Sequence, residues 1–250
     1  MYKEKKHMKE NKYDDEQFFK KYSEMERSKK GLEGAGEWHE LQKILPDFHD
    51  KKVLDLGCGY GWHCKYAANH GAASVLGIDI SHKMLNIAKQ KNKDEKIEYQ
   101  CIAMEDLDFE EASFDVIISS LAFHYVKDFE SLANNISKWL KQGGEFVFSV
   151  EHPVFTSYGT QDWYYDENGN ILHFPVDNYY YEGKREAVFL GEKVIKYHRT
   201  LTTYLNTLLQ KGFMLQHIIE PKPPQSMMHL EGMKDEMRRP MMLLLSFKKL

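Results

Sequence analysis

The sequence predicts a doubly wound α/β fold, in which a mostly parallel sheet of seven strands carries helices on both faces. Between residues 51 and 150, short apolar runs rich in β-branched residues alternate with segments of helical periodicity. A glycine turn at Gly57, Gly59 and Gly61 follows the first run, and Asp79 ends the second. Because strands joined by helices at this spacing need right-handed crossovers, we expect the strands to be parallel.

Length and composition limit the class of protein. At 250 residues the chain can bury a full core as one large domain, and its net charge of −4 disfavours a nucleic-acid partner or an anionic membrane surface. No apolar stretch is long enough for a leader or a membrane span, and three cysteines suit a reducing compartment. We therefore expect a cytoplasmic monomer or homodimer. No metal is expected, because no second Cys/His pair lies at zinc spacing from Cys58 and Cys64.

Residues 1–50 are predicted to form a polar tail and two helices. Residues 1–12 carry many Lys and Glu side chains and little to bury, so a mobile tail is expected there. Apolar residues recur at helical spacing over residues 14–30, and a glycine-rich break separates them from a second short helix over residues 38–45, which Pro46 ends. These helices are expected to cover the mouth of the ligand site.

Residues 51–150 are predicted to form the ligand-binding half of the sheet. The apolar runs predict strands at 52–56, 74–79, 96–100, 115–119 and 144–150, with helices near 61–70, 81–91 and 129–140. Ser81 is placed to cap the helix that follows Asp79. Ligands of open α/β sheets bind beyond the carboxyl ends of the strands, so the functional residues are expected there.

The pattern changes after Val150, and residues 151–198 are predicted to form an inserted, β-rich cap after the fifth strand. Nine aromatic residues lie between positions 155 and 181, and Asn168-Gly169 is a strong hairpin signal. We expect the cap to cover a pocket and to bind a ring or a cation with Trp163 and the tyrosines. The alternative is that these rings form only the apolar face of their own hairpin.

Residues 199–250 are predicted to complete the same sheet. They contain one helix and two strands, at residues 199–211, 213–219 and 241–247. His198 and Arg199 precede the helix, where they could close the pocket and bind an anionic group of a substrate. Arg199 could equally be a surface charge.

The glycine turn favours a nucleoside ligand over a dinucleotide. Gly-x-Gly-x-x-Gly cradles a pyrophosphate, but Trp62 stands at the position of the third glycine. An acidic residue at the end of the second strand, here Asp79, binds the ribose hydroxyls of a nucleoside lying across the crevice. An NAD(P)-dependent oxidoreductase is therefore the weaker of the two enzyme classes.

The glycine turn resembles the cofactor signature of class I S-adenosylmethionine-dependent methyltransferases. The similarity covers residues 51–150 and rests on five segments in register, namely Asp55-Leu56-Gly57-Cys58-Gly59-Tyr60-Gly61, Asp79, Ser113-Phe114-Asp115, Leu121-Ala122-Phe123-His124 and Leu140-Lys141-Gln142-Gly143-Gly144. Segments 34–38, 151–153 and 198–201 resemble one uncharacterised bacterial branch of that superfamily. The resemblance implies a Rossmann-like methyltransferase sheet, S-adenosylmethionine as cofactor and a small-molecule methyl acceptor.

The resemblance also implies a set of cofactor contacts. Asp55, Gly57, Cys58 and Gly59 would lie against the amino-acid part of the cofactor, and Asp79 with Ile80 would hold its ribose. At the adenine end the superfamily usually places an acidic residue where this chain has Ala103, so either Glu105 reaches back or Met84 and Met104 pack on the ring. Ser119, at the end of the fourth strand, completes the predicted cofactor residues.

Three polar residues at strand ends are the candidates for catalysis. His124 follows the fourth strand, and Glu151 and His152 end the fifth, which should lie beside it. Both histidines could instead be structural. Methyl transfer to oxygen or nitrogen by direct displacement needs a base only if the acceptor starts protonated, and the sequence does not choose. A non-catalytic, cofactor-binding regulatory protein is the remaining alternative.

Overall fold

The computed structural model describes residue 9 and residues 11–250, so the predicted tail over residues 1–12 lies mostly outside the described residues. The strands are β1 (Lys52–Leu56), β2 (Ser74–Asp79), β3 (Ile97–Cys101), β4 (Phe114–Ser120), β5 (Leu140–Glu151), β6 (Tyr164–Tyr165), β7 (Ile171–His173), β8 (Gly183–Phe189), β9 (Glu192–His198), β10 (Phe213–Ile219) and β11 (Met242–Lys249). The α-helices are α1 (Glu16–Ser23), α2 (Glu26–Lys30), α3 (Trp38–Ile44), α4 (Trp62–Asn69), α5 (His82–Lys91), α6 (Phe129–Trp139), α7 (Pro153–Ser157) and α8 (Leu201–Gln210). Within the described part of the chain, no helix is long and apolar enough to cross a membrane.

Seven of the strands form one sheet, in the order β10-β11-β5-β4-β1-β2-β3. The pairs among β1 to β5 are parallel, and β11 is antiparallel to both β5 and β10. The order reverses between β1 and β4, which is where open α/β sheets bind ligands. The predicted doubly wound, mostly parallel fold is confirmed.

Apolar side chains cover both faces of the sheet. On one face, rings such as Phe129, Phe148 and Trp139 pack between the sheet and helices α6 and α8. On the other, Trp38 and Leu85 belong to a cluster that joins α3, α4 and α5 to the sheet. Burying each such side chain stabilises the fold by roughly 1.5–3 kcal/mol. The strand ends are therefore held rigidly, which fixes the groups that follow them.

The N-terminal segment is broken where one helix was expected. Asp15 caps α1 by accepting a hydrogen bond from the backbone N–H of Phe18, and Met25 adopts extended backbone angles (φ −64°, ψ 148°) between α1 and α2. Helical periodicity alone cannot detect such a break, because the apolar residues on either side keep their spacing. The break turns α2 towards the glycine turn that follows β1.

The segment between β5 and α8 forms the predicted β-rich insertion, with two hairpins instead of one. The β6–β7 hairpin turns at Asn168-Gly169, where Gly169 has a positive φ of 81°. The longer β8–β9 hairpin pairs Gly183 through Phe189 with residues 192–198. Its Ala187 and Val194 pack on Phe18 of α1, so the insertion contacts the N-terminal helices.

Candidate active site

A cavity of about 210 Å³ lies at the carboxyl ends of β1, β2, β4 and β5, where a water molecule needs only about 10–15 Å³. Its floor is the glycine turn and the start of α5, and its cover is formed by the N-terminal segment and the β8–β9 hairpin. The described side chains in its wall include Tyr13, Tyr22, Met25, Asp79, Met84, Met104, His124, Tyr125, Glu151, Phe189, Met241 and Met242. The cofactor candidates Asp79, Met84 and Met104 thus share one space with the catalytic candidates His124 and Glu151.

The glycine turn is shaped for a close approach of a ligand. The N–H groups of Gly57 and Cys58 donate to the carbonyl of Ile78, which ties the turn to β2 at 2.8 and 2.9 Å. Gly57 has a positive φ of 77°, and a Cβ atom there would collide with Ala122. Gly59 also has a positive φ, of 54°, but a Cβ atom there would meet no atom within 4 Å and would project into open space. The turn therefore leaves room above Gly59 that a side chain would fill.

Asp79 links the glycine turn to the start of α5. Its Oδ2 accepts from the N–H of Gly59, and its Oδ1 from the N–H of Ser81, both at 2.8 Å. Burial raises the pKa of Asp79 to about 6, against the opposing effect of these two hydrogen bonds. A carboxylate oxygen has two acceptor positions, so each oxygen retains one for a ligand in the cavity.

Asp55 lies beneath the turn, away from the cavity wall. Its Oδ2 accepts a hydrogen bond from Cys64 at 3.2 Å, and its Oδ1 has no hydrogen-bond partner among the described residues. Burial raises the pKa of Asp55 to about 7 and that of the Cys58 thiol to about 11. A buried carboxylate oxygen without a partner suits a bridging water, which is the indirect contact expected from the sequence.

The opposite end of the cavity is mostly apolar. Met84 is buried, and Met104 lies beside it in the wall together with Ile80 and Ala103. Glu105 also reaches this wall, and its carboxylate lies 4.0 Å from the Lys9 ammonium. Thioether side chains at a flat, apolar surface suit an aromatic ring.

Ser119 does not line the cavity, contrary to its predicted role. Its hydroxyl is buried and donates to the carbonyl of Leu56 at 2.6 Å, so it joins β4 to β1. The next residue, Ser120, lines the cavity and its hydroxyl is bonded to that of Ser149 at 3.2 Å. Side chains alternate along a strand, so an error of one residue moves the assignment to the other face.

His124 is held in one orientation by the backbone of β5. Its Nδ1 accepts from the N–H of Glu151 at 3.4 Å, and Nε2 forms no hydrogen bond with any residue that the structure describes. Burial lowers the pKa of His124 to about 4, although the nearby Glu151 carboxylate opposes this shift. A neutral imidazole that accepts at Nδ1 carries its proton on Nε2. His124 therefore lines the cavity as a hydrogen-bond donor.

Glu151 belongs to a buried group with two residues of the insertion. Its Oε1 accepts from the Lys196 ammonium at 2.5 Å, and its Oε2 from the amide of Gln161 at 2.7 Å. The same ammonium donates to Gln161 Oε1 at 2.8 Å. Burial acts to raise the pKa of Glu151, but Lys196 and the other partners outweigh it and leave that pKa below its ordinary value. Glu151 is thus a paired anion, which makes it a poor base.

Comparisons with known proteins agree with this geometry. The profile of a methyltransferase domain family matches residues 54–148. A protein of known structure from Listeria monocytogenes, assigned as an S-adenosylmethionine-dependent methyltransferase, is 55% identical, with a TM-score of 0.84 over 88% of this chain and 99% of its own. An S-adenosylmethionine-dependent methyltransferase from Mesorhizobium loti is 40% identical, with a TM-score of 0.80 over 88% of this chain and 100% of its own. The chain belongs to the class I S-adenosylmethionine-dependent methyltransferases.

A more distant relative has a named reaction. The ubiquinone biosynthesis O-methyltransferase of Idiomarina loihiensis is 36% identical over 129 residues, which is 46% of this chain and 53% of that enzyme. The chain therefore spans about half the length of this relative. S-adenosylmethionine is the methyl donor of the present enzyme, and the open space above Gly59, next to half-buried Asp79, fits such a nucleoside.

His152 is not part of the cavity wall of this methyltransferase. Its Nδ1 accepts from the N–H of Val154 and caps α7, and its Nε2 lies 2.8 Å from a carboxylate oxygen of Glu220. We therefore correct the predicted catalytic role to a structural one. The cause is local, because Pro153 begins α7 and places the preceding side chain over the first turn.

The insertion contributes fewer rings to the cavity than the sequence indicated. Trp163 lies in a cluster with Phe155 and Phe174, and together they surround the guanidinium of Arg239 at 4.9, 4.3 and 4.7 Å. The exposed rings are Tyr164, Tyr165, Tyr180 and Tyr181. The methyltransferase cavity receives only Phe189 from the insertion's aromatic residues. Most of these rings therefore neither line the cavity nor form only the apolar face of their own hairpin, because three of them pack on Arg239 and four are exposed.

His198 and Arg199 are also structural. His198 Nε2 donates to the carbonyl of Tyr179 at 2.8 Å, which leaves Nδ1 to accept from the hydroxyl of Thr156 at 2.7 Å. Arg199 donates to carbonyl groups of Val126 and of the next residue, and holds the loop after β4 in place. Neither side chain lines the cavity, so the expected contact with an anionic substrate group is not formed by them.

Sequence reasoning missed Lys196, Gln161, Met242, which begins β11, and Met241, which directly precedes it. One feature of the sequence could have indicated Lys196. It lies two residues from both Val194 and His198 along β9, so it shares their inward-facing side of the strand. A charged residue at such a position needs a buried partner. That the partner is Glu151, 45 residues earlier, could not be predicted from spacing.

Proposed function

We propose that this methyltransferase methylates an oxygen or nitrogen atom of a small molecule bound in the cavity. The observation that carries the proposal is that one continuous cavity joins the glycine turn to His124, Glu151 and Phe189. The cover over it is made by the enzyme's own N-terminal segment and insertion, so the space left for an acceptor is small. A macromolecular acceptor would need an open groove.

The cofactor is proposed to lie across the carboxyl ends of β1 and β2. Gly57 and Gly59 would face its amino-acid part, Asp79 would accept from the ribose hydroxyls, and Ile80 would lie beside the sugar. Met84, Met104 and Glu105 would surround adenine. When bound, S-adenosylmethionine supplies an electrophilic methyl group on a sulfonium. The residues of this chain then act by positioning two reactants, which can supply roughly 7–11 kcal/mol of the barrier.

The geometry supports transfer without a general base. Among the described residues of the cavity wall, His124 presents an N–H and Glu151 is bound to Lys196 and Gln161. The acceptor must then bring its own lone pair, as a neutral amine or an ionised phenol does, and the fraction in that form rises with pH. That lone pair forms the bond to the methyl carbon while the carbon–sulfur pair returns to sulfur. An amine would lose its extra proton to water afterwards.

His124 is proposed to orient the acceptor by donating from Nε2 to an oxygen atom. The matched variants are His124→Gln, whose amide N–H can reach a similar position, and His124→Leu, which has no donor. If His124 is a donor, the glutamine variant retains most activity and the leucine variant loses roughly 10-fold or more, as expected for one buried hydrogen bond. Equal loss in both variants would favour a role as base.

An oxygen acceptor is supported by the relative from Idiomarina loihiensis, which is an O-methyltransferase. The test is release of S-adenosylhomocysteine by the purified enzyme from a panel of small phenols and amines graded in pKa. Turnover of either class supports the proposal, and its rate should rise with pH as the acceptor loses its proton. Tight binding of S-adenosylhomocysteine with no turnover of any acceptor would instead indicate a non-catalytic cofactor-binding protein.

A further inference from the structure

The carboxylate of Glu151 faces the cavity, whereas the ammonium paired with it does not. Glu151 lines the cavity and its side chain is 13% exposed, but the side chain of Lys196 is only 3% exposed and is not part of the wall. Lys196 and Gln161 donate to different oxygens of Glu151. A carboxylate oxygen has two acceptor positions, so one on each oxygen stays open to a ligand. The cavity thus meets the negative end of a buried ion pair.

Gln161 holds this carboxylate in place with a strained backbone. Its amide donates to Glu151 and accepts from Lys196, so the three side chains form a closed group. Its φ is 60°, in the left-handed region that residues other than glycine adopt rarely. Strain of this kind persists where the surrounding structure imposes it, and it is concentrated at ligand sites. Lys196 and Gln161 therefore act as positioning residues for Glu151.

Two aromatic rings lie at the same end of the cavity. Tyr125 and Phe189 both line it, and the Lys196 ammonium lies 6.0 and 5.3 Å from their ring centroids. Since that ammonium is 2.5 Å from Glu151, the rings and the carboxylate border one small space. Aromatic faces and a carboxylate both attract a cation, most strongly where water is excluded.

The positive charges among the described residues of the cavity wall are all matched by carboxylates. The cations there are Lys9 and Arg27, which are paired with Asp106 and Glu37 respectively. His124 is neutral at pH 7, because burial lowers its pKa to about 4. This end of the cavity therefore favours a cationic ligand over an anionic one.

An ammonium group on Glu151 cannot itself receive the methyl group, because its nitrogen has no lone pair. The acceptor must then carry a second group, and the N–H of His124 is the donor that can bind it. His124 and Glu151 are neighbours, since Nδ1 of the imidazole lies 3.4 Å from the backbone nitrogen of Glu151. One small molecule can therefore reach both.

We propose that the methyl acceptor is a small cation, whose ammonium group binds Glu151 beside Tyr125 and Phe189 while the oxygen or nitrogen to be methylated lies at His124. This inference rests on the proposed function and names the substrate class of its cavity. Glu151 is the residue that determines specificity, and it does so through its charge.

The test uses two pairs of probes that differ only in an ammonium group, which an alkylamine carries at about pH 7.5. Tyramine is compared with 4-ethylphenol, and 2-(4-aminophenyl)ethylamine with 4-ethylaniline, by titration calorimetry on the enzyme saturated with S-adenosylhomocysteine. In at least one pair the ammonium probe should bind roughly 10-fold or more tightly than its neutral partner. Glu151→Gln, which keeps the shape and removes the charge, should reduce that preference to within about twofold.

Three further variants separate the charge of Glu151 from its structural contacts. Because Glu151→Gln leaves Lys196 buried without its partner, Glu151→Gln/Lys196→Met removes both charges together and should lose the same preference. Gln161→Ala frees the carboxylate to move and should lower the preference by roughly threefold or more. Glu186→Gln changes an exposed carboxylate on β8 of the same insertion and should keep the wild-type preference.

Equal affinity within both pairs for the wild type would overturn the inference, and so would failure of all four probes to bind. A preference that both Glu151 variants retain would place the ammonium group elsewhere. Methylation of the neutral probes alone would also contradict the inference, and it would leave the proposed function standing. A preference that depends on Glu151, without turnover of either ammonium probe, would support the cation site and count against methyl transfer, so the two failures are distinguishable.

Discussion

Asp79 shows how a single residue can serve both the fold and the ligand. Both of its oxygens accept backbone N–H groups, yet burial still raises its pKa to about 6. Ribose hydroxyls donate to a carboxylate better than to a carboxylic acid, so ligand binding favours the ionised form. The affinity for the cofactor should therefore depend on pH near this pKa.

We predict that S-adenosylhomocysteine binds with constant affinity above about pH 7 and loses up to about tenfold per pH unit well below pH 6. Asp79→Asn should bind more weakly at pH 7, because the amide cannot accept from both hydroxyls and two N–H groups, and its affinity should hardly change between pH 5 and 8. Calorimetry across that range measures both curves. A wild-type curve that is as flat as that of Asp79→Asn would remove the carboxylate from the ribose site.

Burial of His124 predicts that the folded protein loses stability as the pH falls. Burial shifts the pKa of His124 downward, whereas it shifts that of Asp79 upward. The pKa of His124 falls from 6.5 to about 4 in the folded protein, because burial disfavours the charged ring. The unfolded chain therefore takes up a proton below pH 6.5 that the folded protein refuses until about pH 4, and stability is lost as the pH falls through this window. The contribution is about 3 kcal/mol at the acid end.

The variant His124→Gln should lose less stability than the wild type between pH 6.5 and pH 4. Urea unfolding at pH 7, 5.5 and 4.5 gives the free energies of unfolding, and the difference between the two proteins cancels the titration of Asp55 and Asp79. Parallel curves for the two proteins would mean that His124 titrates normally and is open to solvent.

For individual residues of the site, the sequence predicted which residue types are present better than it predicted where each side chain lies. The glycine turn and Asp79 follow from short-range patterns, because the turn needs positive φ at Gly57 and Gly59. Ser119 and His152 were misplaced for local geometric reasons, namely strand alternation and a helix cap. Ser119 was wrong by one position along the strand, and His152 was wrong because one hydrogen bond turns it into a helix cap. A hydrophobic pattern does not predict differences this small.

The insertion after β5 and the connection between β10 and β11 are packed against each other. Arg239 lies in that connection, its side chain is only 6% exposed, and it is bound by Glu236 at 2.8 Å and by the rings of Trp163, Phe155 and Phe174. Two residues later the chain reaches Met241 and enters the cavity wall. Arg239 therefore fastens the end of this connection to the insertion.

We predict that Arg239→Ala loosens the residues around 221–241 and 160–175 while leaving the sheet intact. A desolvated cation on aromatic rings contributes roughly 2 kcal/mol, so amide exchange in both segments should accelerate about 30-fold. Hydrogen exchange followed by mass spectrometry measures this. Arg238→Ala is the comparison and should have a smaller effect, because Arg238 is more exposed and contacts the insertion through one ring and one hydrogen bond to the carbonyl of Leu172. Equal effects of both changes would reject the role of Arg239.

The same elements show where prediction from sequence ends. Apolar periodicity located all seven strands of the sheet, since each strand carries its own signal. The aromatic residues of the insertion were located too, but the partner of Trp163 lies 76 residues later at Arg239. Pairings of that kind depend on how the finished sheet brings loops together, which no local pattern records.

The whole molecule is closed by its N-terminal segment, which contacts three separate walls of the cavity. Asp14 accepts from the hydroxyl of Ser81 at 2.6 Å and from the N–H of Lys83 at 3.0 Å. The hydroxyl of Tyr13 lies 3.2 Å from that of Tyr125, after β4. Phe18 packs on Phe189 of the insertion. The cover is therefore attached at the start of α5, after β4 and on the β8–β9 hairpin.

This closure predicts that cofactor binding and order in the N-terminal segment are coupled. A ligand beneath Tyr13, Tyr22 and Arg27 adds contacts to the closed state only, so it stabilises that state by its differential affinity. Binding of S-adenosylhomocysteine should slow amide exchange over residues 13–37 and in the glycine turn. Exchange in the exposed β6–β7 hairpin should not change.

The variant Asp14→Ala tests the same coupling by loosening the N-terminal segment and measuring the effect on cofactor binding. Removing the acceptor deletes three hydrogen bonds to the start of α5, from the hydroxyl of Ser81 and the N–H groups of His82 and Lys83. A hydrogen bond to a charged acceptor is worth roughly 1.5–3 kcal/mol. Amide exchange over residues 13–37 should accelerate without ligand, and affinity for S-adenosylhomocysteine should fall by about tenfold, because part of the binding free energy now orders the segment. Asp15→Ala is the matched control, since Asp15 only caps its own helix and should change the affinity by less than about twofold. Wild-type affinity together with wild-type exchange in Asp14→Ala would show that the segment is held by its aromatic contacts alone.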